Sequence, residues 1–143
     1  MEKIITVLCI FMISTTTYAF GESCRLYKIR IKNEGATDCV LKKQYVFNGK
    51  LTAHSKIPDV IFRDQEEQFE MTEIQQNFFL DVGFLLTYEC GDNKEITFFS
   101  ETPHGQKERN AVVESNNVEA SFQASGCNNF YGTANKVTWI LKP

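Results

Sequence analysis

The chain has 143 residues, 43% hydrophobic and 13% aromatic, with 15 basic against 18 acidic side chains and a net charge of −3. That apolar content suffices for a folded core and excludes a disordered chain. The charge is too mild to imply nucleic acid or another polyanionic partner.

Residues 1–19 are expected to be an export signal. Lys3 supplies the positive start, 4–13 the apolar core, and Thr17-Tyr18-Ala19 a small-x-small cleavage site before Phe20, with Ala19-Phe20-Gly21 as the alternative site. The apolar core is far short of the roughly 20 residues of a membrane span, and nothing downstream approaches that length. Leu8 precedes Cys9 where a lipoprotein signal needs a small residue. The expected product is 20–143, a single domain that is secreted or periplasmic, with no transmembrane segment.

Further along, 25–32 alternates cleanly, with Tyr27, Ile29 and Ile31 on one face and Lys28, Arg30 and Lys32 on the other, which marks a half-buried strand. The 33–37 stretch, with Gly35, is a turn. Cys39–Phe47 comes next as a second strand, and Asn48-Gly49 predicts a two-residue hairpin returning through 50–53. Pro58 limits 57–62 to an edge strand or a tucked loop. After an acidic turn at 64–67, residues 68–74 read as a strand with Phe69 and Met71 inward and a bulge near Glu73.

The densest strand-forming run is 85–100, LLTYEC-GDN-KEITFFS, a hairpin around a Gly-Asp-Asn turn with a cysteine where its first strand ends. A polar loop at 102–110 and a short strand at 111–114 come next. Val118, Ala120, Phe122 and Ala124 then alternate with polar residues, and 136–141 closes the chain with Val137, Trp139 and Leu141 toward the core. No stretch of ten residues keeps a helical period. Eight or nine such strands predict an all-β, single-domain antiparallel β-sandwich; a flattened β-barrel is the alternative.

Once Cys9 leaves with the signal, Cys24, Cys39, Cys90 and Cys127 remain. Four cysteines in an exported domain point to two disulfides, with three possible pairings. Cys39 opens one strand and Cys90 closes another, so Cys39 with Cys90 and Cys24 with Cys127 is the favoured set.

Catalytic chemistry is sparse. His54 and His104 lie in or beside polar turns without a serine or cysteine in a nucleophile motif, and Gly-x-Ser-x-Gly is absent. Asp64, Glu66, Glu67, Glu70 and Glu73 read as a solvated strand face, although paired carboxylates leave a glycan hydrolase as the competing class. Cysteines and histidines lack metal-ligand spacing, and no cofactor or phosphate-cradling loop is implied.

Two features point to binding. The outward face of the first strand is basic (Lys28, Arg30, Lys32), and Lys42 on the next strand is expected to extend it toward anionic head groups or acidic sugars. Phe78-Phe79 and Phe130-Tyr131 sit in polar loops, where they either cap the sandwich or anchor it to a membrane interface or partner. The basic first strand, the Asn48-Gly49-Lys50 turn, the 94–98 strand and the terminal strand around Trp139 resemble, in strand order, small secreted β-sandwiches of the aegerolysin kind. That resemblance implies recognition of membrane lipids. The chain is equally similar to disulfide-bearing sandwiches that bacteria export, and the absence of an Asn-x-Ser/Thr site fits that origin. The expected function is non-enzymatic recognition of a membrane surface, glycan or protein partner.

Overall fold

Alternation at period two gives each strand one apolar face, and such faces are buried by packing two sheets together. The computed structural model describes residues 26–73, 82–102, 109–127 and 134–143. Its ten strands are β1 (Leu26–Asn33), β2 (Cys39–Phe47), β3 (Gly49–Leu51), β4 (Val60–Ile61), β5 (Glu66–Glu73), β6 (Val82–Glu89), β7 (Glu95–Thr102), β8 (Arg109–Asn116), β9 (Glu119–Ser125) and β10 (Asn135–Lys142). They form two five-stranded sheets, in the order β3-β5-β1-β10-β9 and β4-β2-β6-β7-β8. The protein is therefore an open all-β sandwich rather than a barrel.

The core lies between the sheets. Tyr27, Ile29, Ile31, Phe69, Met71, Val137, Trp139 and Leu141 face Phe84, Leu86, Tyr88, Ile96 and Phe98. Phe84 sits at the centre, with its ring centroid 5.5 Å from Phe69 and 6.3 Å from both Tyr27 and Phe98. A buried polar link crosses the core between β10 and β7, where Trp139 Nε1–H donates to Ser100 Oγ at 2.7 Å. Tyr88 donates its hydroxyl to the carbonyl of Pro58 at 2.8 Å. Burial, reinforced by Asp59 and Glu67, pushes that phenol well above its ordinary pKa, so it stays neutral.

The hairpin at the heart of the sequence is β6–β7, in continuous antiparallel register from Val82↔Thr102 to Glu89↔Glu95. Gly91 (φ 92°) and Asn93 (φ 55°) supply the left-handed positions of its turn. Cys39 and Cys90 are bonded, as the strand arrangement implied, because β2 and β6 are antiparallel neighbours. Cys127 is also disulfide-bonded, and its partner lies outside the described residues, as does Cys24.

Three expectations need correction. Asn48 adopts the left-handed conformation (φ 53°), but Gly49–Leu51 pairs with β5 instead of returning along β2. The chain crosses between sheets there, at a point so close that a Cβ on Gly49 would lie 2.6 Å from Val82 Cγ1. Second, the sandwich is not wholly antiparallel: β10 enters beside β1 as a parallel partner, Ile31 opposite Trp139. Third, the described residues form ten strands, not eight or nine, because the short Gly49–Leu51 and Val60–Ile61 segments both pair with a neighbour and 109–116 forms a full strand. The strand expected over 118–124 forms as β9, at the edge of its sheet, and Phe122 on it remains 44% exposed.

The two ends of the sandwich differ. One, the disulfide end, gathers the 34–38, 62–65 and 90–94 turns. Buried Asn33 braces it, donating to the carbonyls of Thr37 (2.7 Å) and Ile61 (3.1 Å) and accepting from Gly35 N–H (2.9 Å). Thr37 donates to the carbonyl of Cys90 at 2.8 Å. At the opposite end β5 finishes and β6 begins, β7 finishes and β8 begins, and β9 finishes and β10 begins.

Candidate binding surfaces

A strand holds alternate side chains on one face about 7 Å apart, so Lys28, Arg30 and Lys32 do form a row on the outer face of β1. What stands beside them was not legible. β5 is the antiparallel neighbour, with Lys28 opposite Glu70 and Lys32 opposite Glu66. Lys28 Nζ lies 3.7 Å from Glu70 Oε1, Arg30 lies 3.4 Å from Glu66, and Lys32 lies 2.6 Å from Glu34, which Lys142 also approaches at 3.9 Å. The hydrogen bond to Glu34 raises the Lys32 pKa, and the same bond lowers that of Glu34. All of these side chains are at least a third exposed, so the pairs contribute little to stability. Their consequence is electrostatic: the row is one half of a mixed-charge face.

Lys42 does not extend that row. It belongs to β2, in the other sheet, at a bulge between Leu41 and Lys43, and pairs with Glu89 at 3.2 Å. The acidic residues of β5 that suggested a hydrolase include Glu66 and Glu70, both engaged by β1 cations. Among the described residues no group of three His, Cys, Asp or Glu side chains could hold a metal ion. His54 is exposed in the turn after β3, whereas His104 lies outside the described residues.

Phe78, Phe79, Phe130 and Tyr131 also lie outside the described residues. Topology nevertheless fixes where their segments attach. The strands flanking 74–81, 103–108 and 128–133 all meet those segments at the end remote from Cys39–Cys90. The sequence named two aromatic loops; the sheet order brings their anchor points to one end.

Two exposed apolar features escaped the sequence reading. Phe62 is 55% exposed in the turn before β5, beside a shallow depression lined by Thr37, Asp38, Arg63, Gln65 and Glu67. Tyr45 is 65% exposed on the outer face of the second sheet, with Leu85 and Phe99 half-buried beside it. A signal existed for the latter: Leu85-Leu86 and Phe98-Phe99 make both phases of β6 and β7 apolar, more than one buried face needs.

No family model matches the chain, and no curated protein sequence does. Solved structures with the same sandwich do match. The lipid binding protein Nakanori superposes with a TM-score of 0.70 at 14% identity, covering 84% of this chain and 72% of its own. RahU, crystallised with a Tris molecule, gives 0.63 at 9% identity over 84% and 96% of the two chains. IP-1A from Alcaligenes faecalis gives 0.57 at 11% identity over 84% and 91%. At such identities the likeness is one of fold. Among the described residues no helix is long and apolar enough to cross a membrane.

Proposed function

We propose that the protein is a non-enzymatic binder of lipid surfaces that docks through the loop end of the sandwich. The observation that carries this reading is the convergence of the strand ends flanking 74–81, 103–108 and 128–133 at the end opposite the disulfide. Phe78-Phe79 and Phe130-Tyr131 are the apolar anchors, borne on a rigid body whose other end is covalently braced. The fold it shares with a lipid-binding protein supports the reading.

Because Lys28, Arg30 and Lys32 already face Glu70, Glu66 and Glu34, attraction to anionic head groups is a minor contribution. Two rings that each bury about 100 Å² of apolar surface contribute about 5 kcal/mol before ordering costs, and that part is insensitive to salt. Co-sedimentation with phosphatidylcholine vesicles, with and without phosphatidylserine, tests this. Binding should persist at physiological salt and in the Lys28/Arg30/Lys32→Ser variant. It should fall at least about tenfold in Phe130/Tyr131→Ser and in Phe78/Phe79→Ser, a small part of that apolar contribution. A protein that ignores every vesicle, or whose binding vanishes only with the basic row, contradicts the proposal.

A further inference from the structure

Register places an apolar row on the outer face of the second sheet. Tyr45, Leu85, Phe99 and Ala111 are directly opposite one another across β2, β6, β7 and β8. Toward the loop end, Phe47 lies over Gly83, where a Cβ would come within 2.4 Å of the ring, and the Tyr45 ring stacks on Phe47 at 6.1 Å. Toward the disulfide end runs a second row of Lys43, Thr87, Thr97 and Glu114. Its centre is closed by the Thr87–Thr97 hydroxyl hydrogen bond of 2.9 Å. Its two ends carry opposite charges, and neither Lys43 nor Glu114 has an ion-pair partner among the described residues.

We infer that this face is the self-association surface of a two-fold dimer whose axis runs parallel to the strands. Such an axis lays β2 of one copy over β8 of the other and β6 over β7, without shifting residues along the strands. Lys43 then faces Glu114 of the second copy twice, Tyr45 faces Ala111, and Leu85 faces Phe99. An in-plane axis perpendicular to the strands, passing through the Tyr45 row, would instead set Lys43 over Phe47 with no partner, and Glu114 over Arg109, which Glu101 of its own copy already engages at 2.6 Å. Charge complementarity thus selects a second copy in one orientation, since an isologous interface must be complementary to itself.

Four strands about 4.8 Å apart, over three rows about 7 Å apart, give a footprint of about 400 Å² per copy. That is half of a standard interface, so the dimer is weak and forms at high local concentration. The axis also points the loop ends of both copies in the same direction. If those ends bind lipid, a surface that concentrates the protein favours the dimer, and the dimer holds two sites to that surface. The dimer itself does not depend on that reading.

Sedimentation velocity at low salt, from about 10 µM to about 1 mM, spans the range where so small an interface dissociates. Wild-type protein should move from monomer to dimer across it. Lys43→Glu and Glu114→Lys should each weaken association by at least about tenfold, and the double variant should recover to within about threefold of wild type, because the pair is re-formed with its signs exchanged. Tyr45→Ser should keep the protein monomeric throughout. These side chains are exposed, and unchanged thermal midpoints would show that folding is intact. A wild type that stays monomeric, or a double variant no better than its singles, overturns the inference. So does a monomer whose vesicle binding requires Tyr45, which would assign the face to lipid.

Discussion

Removing the Ser100 hydroxyl should destabilise the protein out of proportion to its size. Trp139 on β10 and Ser100 on β7 belong to different sheets, both are fully buried, and the indole N–H donates to the hydroxyl at 2.7 Å. In Ser100→Ala the N–H is left without a partner where water cannot reach, which costs about 1–3 kcal/mol. Trp139→Ala loses far more, about 3–5 kcal/mol, because the ring packs 4.6 Å from Phe98 and 5.2 Å from Phe122 and leaves a cavity. Trp139→Phe keeps much of that packing but removes the donor. The double variant Ser100→Ala/Trp139→Phe strands no donor, so it should cost about 1–2 kcal/mol less than the two singles added. Urea unfolding followed by far-UV circular dichroism measures each cost; with a slope of about 2 kcal/mol per molar, Ser100→Ala should lower the midpoint by about 1 M. The single tryptophan gives a second probe in Ser100→Ala, since its emission comes from Trp139 alone. A Ser100→Ala midpoint equal to wild type, or strictly additive costs, would refute the polar link between the sheets.

The Cys39→Ala/Cys90→Ala variant should lose about 4 kcal/mol, the loop-closure estimate for a 51-residue separation, and peptide mapping without reductant should recover the 39–90 cross-link. An unchanged urea midpoint would show that the bridge constrains nothing. Asn33→Ala should cost about 2–4 kcal/mol, because it strands Gly35 N–H and the Thr37 and Ile61 carbonyls at once; a loss below about 0.5 would mean water replaces it freely. Phe122→Ser should cost under about 1 kcal/mol, since the ring is 44% exposed on an edge strand, whereas Phe98→Ala should cost about 3–5; equal costs would place β9 under cover.

Local pattern encodes which face of a strand is buried, and that much of the fold was legible. Tyr27, Ile29 and Ile31, Phe69 and Met71, and Val137, Trp139 and Leu141 were assigned to the core from alternation alone, and all are buried. Pairing Cys39 with Cys90 needed only one strand opening where another closes. Neighbour order was the missing information, because it depends on long-range register that no short window holds. Asn48-Gly49 looks locally like a hairpin, yet Gly49–Leu51 pairs with β5. For the same reason the basic row of β1 looked like an anion site: its sequence contains Lys28, Arg30 and Lys32, but the carboxylates that answer Lys28 and Arg30 lie some 40 residues away on β5. Val118 to Ala124 alternates like a core strand, and only the sheet order reveals that β9 is an edge with no further strand beside it among the described residues. The aromatic pairs at 78–79 and 130–131 were found by composition; the topology of the flanking strands is what gives them a common end.

Hydrogen exchange read by mass spectrometry, with and without phosphatidylcholine vesicles, tests the central claim most directly because it reports where a surface touches the chain. Peptides covering 74–81 and 128–133 should exchange more slowly on vesicles, while those covering 34–38, 62–65 and 90–94 at the disulfide end should not change. Protection at the disulfide end, or along β1 and β5 with none at the loop end, would contradict the account.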